Sequence, residues 1–509
     1  MKTDEFGNRY IIKLVSSIAI AVCNTVIQMV LPRALSLDEY GFYSYNLNVF
    51  TSIVVMANLS TSNAMVSKFS KRNQEIGLIY FYLKFYAIVT IVLCAGTALL
   101  YSTDFIKNTF AGQTLLVVML GLLSALIQKL LADCVSMYDA FAISRFPALM
   151  QILLKTAICV LILAAYIIGF LNLILFYVVQ GLVTAFALAV MLFAIIQEQK
   201  RKYPVIIHKE KKAYAKEYFI YCRPLVVATI VSQGIIVVMN WALMRWSGTA
   251  EQALFGAAWQ LNTIVGYVFS PYAELSKREF AVLYHDMDQL RNRYVQALRL
   301  IIWPTTYFAA FIGIEAAWIL PLLYGDQYSA ASLVTLVIMY YTIYQAWGQV
   351  SGSYMLALEK SKLNAAITIA GQLLTLALVF LFQIPNPIWP DSLGAVGIAL
   401  NYLAANCVSV TIGICAISMG LKLKPLKVLS IQAVPILFCS GTAVILRSVL
   451  DRLLPDGAMT GYIVKIIAAG VIYTASVMAL VLFKPELMGM SRESISGVLR
   501  SLGQKLFKK

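Results

Sequence analysis

The chain consists largely of apolar runs about as long as a bilayer is thick, and fourteen of them recur between residues 11 and 483. A helix crossing the hydrocarbon layer needs about 17 to 25 predominantly apolar residues. The runs lie near 11–32, 41–66, 78–101, 113–136, 147–168, 173–196, 218–246, 254–275, 298–320, 329–357, 364–384, 394–419, 429–446 and 459–483. With 61% apolar and 13% charged residues over 509 positions, the chain cannot coat a soluble globule. The predicted fold is an all-α polytopic membrane protein of about 14 transmembrane helices. The first run follows Lys2, Arg9 and Lys13 but is too long for a signal-peptide core, and no small-x-small site precedes Pro32, so it reads as a retained helix.

A formal charge of +16 raises the question of nucleic acid, which the placement of the charges answers. With the N-terminus inside and Lys13 counted with it, 29 of the 40 Lys and Arg fall on inner segments and only Arg33, Lys107, Arg447 and Arg452 on outer ones. That asymmetry is the positive-inside pattern, and it puts both termini in the cytoplasm and the chain in the cell membrane. The largest inner cluster, "QKRKYPVIIHKEKKAYAKEY" at 199–218, suits anionic lipid rather than bases. Eight cysteines all fall in predicted spans without C-x-x-C spacing, and His208 and His285 sit on inner loops. No metal, disulfide or catalytic set can be assembled from them, and no phosphate-binding glycine motif occurs, so no resident cofactor is expected.

Internal repetition organises the rest. "SLDEYGFYSYNLNVFTSIV" from Ser36 aligns with "GTAEQALFGAAWQLNTIV" from Gly248 at an offset of 212, pairing Arg33 with Arg245, Glu39 with Glu251, Asn48 with Gln260 and Thr51 with Thr263. "AFAISRF" at 140–146 aligns with "ALEKSKL" at 357–363 at an offset of 217. Two parallel six-helix units follow, 1–196 and 218–419, because an even number of spans returns the chain to the same side. A basic cytoplasmic linker, 197–217, joins them; helices 13 and 14 occupy 420–483, and 484–509 is a basic tail. Its "SRESISGVLRSLGQKLFKK" is compatible with an amphipathic surface helix and with a solvated tail.

Polar residues within the spans fall on faces. The eighth span carries Gln260, Thr263, Tyr267, Ser270 and Glu274 at helical spacing; the second carries Asn48, Thr51, Asn58 and Ser62; the first Lys13, Ser17, Asn24 and Gln28; the seventh Thr229, Gln233 and Asn240. Such residues also bond helix to helix in membranes. Their recurrence on the first two helices of both repeats points to a shared polar cavity. Charged residues within spans carry a large insertion cost and mark function or pairing. Lys129 and Asp133, four apart, suit an ion pair. Glu274, Lys84 and Lys155 are candidates for cation or coupling roles, while Glu315 and Lys465 have no obvious partner in the sequence.

"VLPRALSLDEYGFYSY" after a basic N-terminus, "PLLYGDQYSAAS" at 321–332 and "SLGAVGIALNYLAAN" at 392–406 together resemble the polysaccharide-biosynthesis flippases, the Wzx-type O-antigen and exopolysaccharide transporters. Their superfamily also holds the multidrug and toxin extruders and the lipid II flippases. The resemblance spans nearly the whole chain and implies a V-shaped pair of six-helix bundles plus two helices. It further implies alternating-access transfer of a polyprenyl-pyrophosphate-linked oligosaccharide between leaflets. Glycosyltransferases and a polysaccharide polymerase are the partners it implies, and coupling to membrane potential, proton or sodium stays open. Arg33 and Arg245 are the candidate pyrophosphate ligands, because a guanidinium matches phosphate in a bidentate fork; the competing reading makes them interface anchors beside Asp38 or Glu39. A cationic-drug extruder would call for cavity acids, yet the spans hold Asp133, Glu274 and Glu315 against seven bases. A membrane glycosyltransferase or polymerase would need a larger outer loop or an acid-base set.

Overall fold

The computed structural model describes residues 6–489 apart from 73–74, 102, 104–108, 111, 142, 203–210, 389 and 455–458. Among the described residues the secondary structure is entirely helical. In chain order the α-helices are α1 (Phe6–Ala34), α2 (Leu37–Ala57), α3 (Thr61–Lys71), α4 (Gly77–Leu100), α5 (Leu115–Ala140), α6 (Arg145–Ile168), α7 (Leu173–Lys202) and α8 (Lys211–Val282). The second half holds α9 (Met287–Ile314), α10 (Ala316–Tyr324), α11 (Ser332–Ala357), α12 (Ser361–Phe382), α13 (Gly394–Gly420), α14 (Pro425–Leu429), α15 (Ala433–Leu453) and α16 (Met459–Phe483).

Twelve helices are long and apolar enough to cross a membrane, and α2 with α3 forms a further, broken span. One of the twelve, Leu225–Tyr267 within α8, has 43 residues. At about 1.5 Å per residue that is twice the hydrocarbon thickness. The 72-residue α8 is interrupted at Gly248, whose φ of 86° and ψ of −175° are not helical. Counting α8 as two passages gives the fourteen spans expected. Their outward side chains are those of a lipid-facing surface: Leu99, Ile167 and Phe186 are 75%, 81% and 71% exposed. The chain is thus a multi-pass membrane protein.

Three boundaries differ from those expected of the sequence. The second span is not one straight run over 41–66 but bends by 57° between α2 and α3. Leu59 and Ser60 take left-handed backbone angles there, φ 49° and 59°, and the Asn58 side chain accepts the Ser62 amide at 3.1 Å in place of a backbone carbonyl. The ninth span ends at Ile314 rather than near residue 320, and Glu315 separates it from α10. The thirteenth runs on to Leu453, so Arg447 and Arg452 lie on a helix and not in an outer loop. The basic stretch between the two repeats is helical up to Lys202 and again from Lys211; residues 203–210 and the tail from 490 lie outside the described residues.

By packing, the chain divides into two compact units, Met1–Gly256 and Ala257–Lys509. The first is built on a core of Tyr45, Phe50, Met65, Phe69, Tyr82, Tyr86, Phe110 and Tyr138, donated mainly by α2 to α5. In the second, α11 packs along α9 and α13, burying Trp303, Trp347, Tyr294 and Tyr354, and α15 and α16 pack on each other and on α9 and α10.

The repeat register recurs in the backbone. Leu115–Ala140 and Ser332–Ala357 each contain 26 residues, and both their ends are separated by the offset of 217 seen in the sequence. Ser36, the N-cap between α1 and α2, and Gly248, the interruption of α8, are the residues the offset of 212 superposes.

Candidate functional site

In the first unit, α2 is stitched along its length to residues 211–256. Asn48 Nδ2 donates to Asn240 Oδ1 at 3.2 Å, and Gln252 Nε2 donates to the same oxygen at 2.9 Å. Asn240 Nδ2 in turn donates to the Ile236 carbonyl at 2.8 Å. The Thr249 hydroxyl donates to Asp38, and the Ser60 and Thr229 hydroxyls meet at 3.1 Å. Two glycines allow the approach: a Cβ on Gly41 would lie 2.2 Å from the Thr249 carbonyl oxygen, and one on Gly256 would lie 2.4 Å from Ser44 Oγ. Small residues and amide pairs are how helices associate in lipid, where apolar burial gives no drive. At the end of α3, Glu217 pairs with Arg72 at 2.5 Å and with Lys68 at 3.7 Å.

Behind this seam lies a buried polar chain. Lys129 pairs with Asp133; the Tyr82 hydroxyl donates to Asp133; Asn58 Nδ2 donates to the Tyr82 hydroxyl at 3.1 Å; and Lys129 Nζ donates to Ser62 Oγ at 3.4 Å. The ion pair anticipated from spacing is therefore present, and it fixes the helix ends at the α2–α3 bend.

The structure distributes the sequence candidates among several environments. Arg33 is exposed in the last turn of α1, and Arg245 is exposed three residues before Gly248. Glu39 forms a capping box with Ser36, and Asp38 accepts from Thr249, so both acids beside Arg33 have partners of their own. Asn48, Asn58, Thr229 and Asn240 are hydrogen-bonded to protein groups as described. Thr51 is exposed on α2, and Asn24, Gln28 and Gln233 are half-buried. In the second unit Gln260 and Ser270 are half-buried, and exposed Thr263 donates to the Trp259 carbonyl at 3.1 Å. Lys84 is exposed and Lys155 half-buried; the side chains of Lys13 and Glu274 lie outside the described residues.

Polar periodicity alone missed an aromatic trio beside the α8 stripe. The Trp259 ring lies 5.8 Å from Tyr341 and 4.9 Å from Tyr402, and those tyrosines are 5.5 Å apart. All three are half-buried. The one signal in the sequence is that Trp259 precedes Gln260. Lys465 also has partners that sequence reading did not find: Asp451 Oδ1 at 2.9 Å and the Trp318 ring, 5.3 Å below its ammonium. Among the described residues no three His, Cys, Asp or Glu are placed to hold a metal ion, and the eight cysteines are free thiols.

No protein-family model matches the chain, and no curated protein matches it in sequence. Solved structures do match in shape. A lipid II flippase MurJ in an inward closed conformation superposes with a TM-score of 0.69 at 14% identity, over 93% of this chain and 99% of that one. An inward-facing multidrug-resistance MATE transporter of the MOP superfamily gives 0.63 at 14% identity, over 79% and 95%. A MATE protein in complex with MaD3S gives 0.54 at 16% identity, over 81% and 96%. The chain therefore has the helical fold shared by these flippase and multidrug transporter structures.

Proposed function

We propose that the chain is a flippase, not an enzyme, that carries a polyprenyl-pyrophosphate-linked oligosaccharide from the inner to the outer leaflet of the cell membrane by alternating access. The observation that carries this reading is the pair Arg33 and Arg245. Both are exposed, each stands three residues before a backbone interruption, and the repeat offset superposes them. A pyrophosphate needs fixed cations, and two guanidinium forks supply bidentate donors at equivalent places in two repeats. A glycan needs hydroxyl and amide partners, which Gln260, Thr263 and Ser270 of the second unit offer, and flat apolar faces, which Trp259, Tyr341 and Tyr402 of the same unit offer. Anionic lipid meets the inner basic clusters, and the polymerase and glycosyltransferases that act before and after transfer are the expected partners.

Multidrug exporters share the fold, so cargo charge is what separates the two readings. Cells lacking their own polysaccharide flippase should regain surface glycan when they express this chain. Arg33→Gln and Arg245→Gln should each reduce export at equal protein abundance, with the lipid-linked intermediate accumulating. Full export by the double variant would return both residues to an anchoring role. Resistance to cationic drugs without glycan export would replace the flippase with an extruder.

A further inference from the structure

Glu315 stands at the break between α9 and α10, and its side chain is fully buried, with 0% exposed. Among the described residues neither of its carboxylate oxygens meets a hydrogen-bond donor. Arg447 and Asp451, both on α15, are the charged side chains whose fields reach it. Each already has a role: Arg447 NH1 donates to the Ile314 carbonyl at 2.5 Å and its Nε lies 3.7 Å from Asp451, while Asp451 Oδ1 also accepts from Lys465 at 2.9 Å and from Trp318 Nε1 at 3.1 Å. Lys465 itself is 1% exposed. Among the described residues no other charge acts on it. No Asp, Glu, Lys, Arg or His occurs in α11. Asp326 is exposed, and the arginines of α9 lie at least sixteen residues back along the helix.

An ionised carboxylate in such a place is far costlier than a neutral acid, because a lone buried charge loses all its hydration whereas a hydroxyl loses one or two hydrogen bonds. We propose that Glu315 is a proton-binding site of the second unit and that Arg447, Asp451 and Lys465 respond to its occupancy. The equilibrium is simple: the carboxylate takes one proton from water to give the neutral acid and returns it on release. In the protonated state Arg447 is left to Asp451 and the Ile314 carbonyl, and the Asp451–Lys465–Trp318 clasp holds α15 and α16 against α10. On release, the new anion competes with Asp451 for Arg447 and loosens the clasp from one side. The proposal does not depend on the cargo.

Infrared spectroscopy of the purified full-length protein at neutral pH tests it, with the proton as the ligand. The wild type should show the carbonyl stretch of a buried protonated carboxylic acid. Glu315→Gln, which is isosteric with the neutral acid, should remove that band and leave thermal stability unchanged. Asp451→Asn should retain the band. Loss of the band in Asp451→Asn alone would move the proton to Asp451 and overturn the assignment. Absence of any band that Glu315→Gln removes would show Glu315 to be ionised and overturn it equally. A marked fall in stability in Glu315→Gln would indicate that the carboxylate was making contacts as an anion, and would refute the protonated state.

Discussion

Asn48 and Asn240 are 192 residues apart in sequence and share a hydrogen bond of 3.2 Å, with Gln252 donating to the same Asn240 oxygen at 2.9 Å. One side-chain carbonyl thus gathers two donors from two segments of the first unit. Interhelical bonds in membranes average about 0.6 kcal/mol, whereas removing an acceptor and leaving buried donors unmet costs about 1 to 3 kcal/mol. Asn48→Val should therefore lower stability slightly, and Asn240→Leu distinctly more. Thermal unfolding in detergent measures both; equal losses would mean that Asn240 does not act as the shared acceptor.

Gly41 sits where a side chain would meet backbone. A methyl group there would lie 2.2 Å from the Thr249 carbonyl oxygen, a partner that cannot rotate away, whereas Gly96 has nothing within 4 Å. Overpacking of this kind costs about 1 to 3 kcal/mol. Gly41→Ala should reduce the yield and melting temperature of folded protein, and Gly96→Ala should leave both unchanged or slightly raised. A Gly41→Ala protein as stable as wild type would mean that the close approach is not maintained in the membrane.

Asp133 holds together Lys129 and the Tyr82 hydroxyl within the first unit, with its side chain only 6% exposed. Removing one member of a buried ion pair costs about 3 to 5 kcal/mol, while replacing both by apolar residues is often neutral. Asp133→Leu should therefore be poorly folded, and Lys129→Met with Asp133→Leu should recover much of the loss in the same unfolding assay. Failure of the double variant to recover would point to Tyr82 and Asn58 as the groups that need the carboxylate.

Topology is tested at the chain's end. The inner bias of basic residues predicts a cytoplasmic C-terminus, so a reporter fused after Lys509 that is active only outside the cell membrane should be silent. Strong activity would remove an odd number of passages from the fourteen.

The number of spans was legible because apolar run length is a direct consequence of bilayer thickness, and the repeat because Arg33, Glu39 and Asn48 recur at one offset. The partners of polar residues were not. Asn58 reads as one member of a stripe on the second span, yet its amide reaches Tyr82 on α4 and caps the bend, because partner choice depends on how helices are rotated against each other. Lys465 reads as solitary for a different reason. Ending the thirteenth helix at residue 446 leaves Asp451 in a loop, and seven more residues of helix bring its carboxylate to the ammonium. The aromatic trio escaped because Trp259, Tyr341 and Tyr402 come from three separate segments and share no local period.

The bend at Leu59 and Ser60 has a mechanical meaning. On one side of it α2 is tied to residues 211–256 through Asp38 and Asn48, and on the other α3 packs on α4 and α5 and meets Glu217 through Lys68. At the joint the Ser62 amide goes to the Asn58 side chain, and the Thr61 amide makes a tighter turn to the Asn58 carbonyl at 3.0 Å. Tilting one piece against the other therefore loads a small set of contacts centred on Asn58, with Tyr82, Thr61 and Ser62, in place of a continuous helical ladder. A passage made this way behaves as two short levers on a common pin, where an unbroken helix of the same length would behave as one stiff rod.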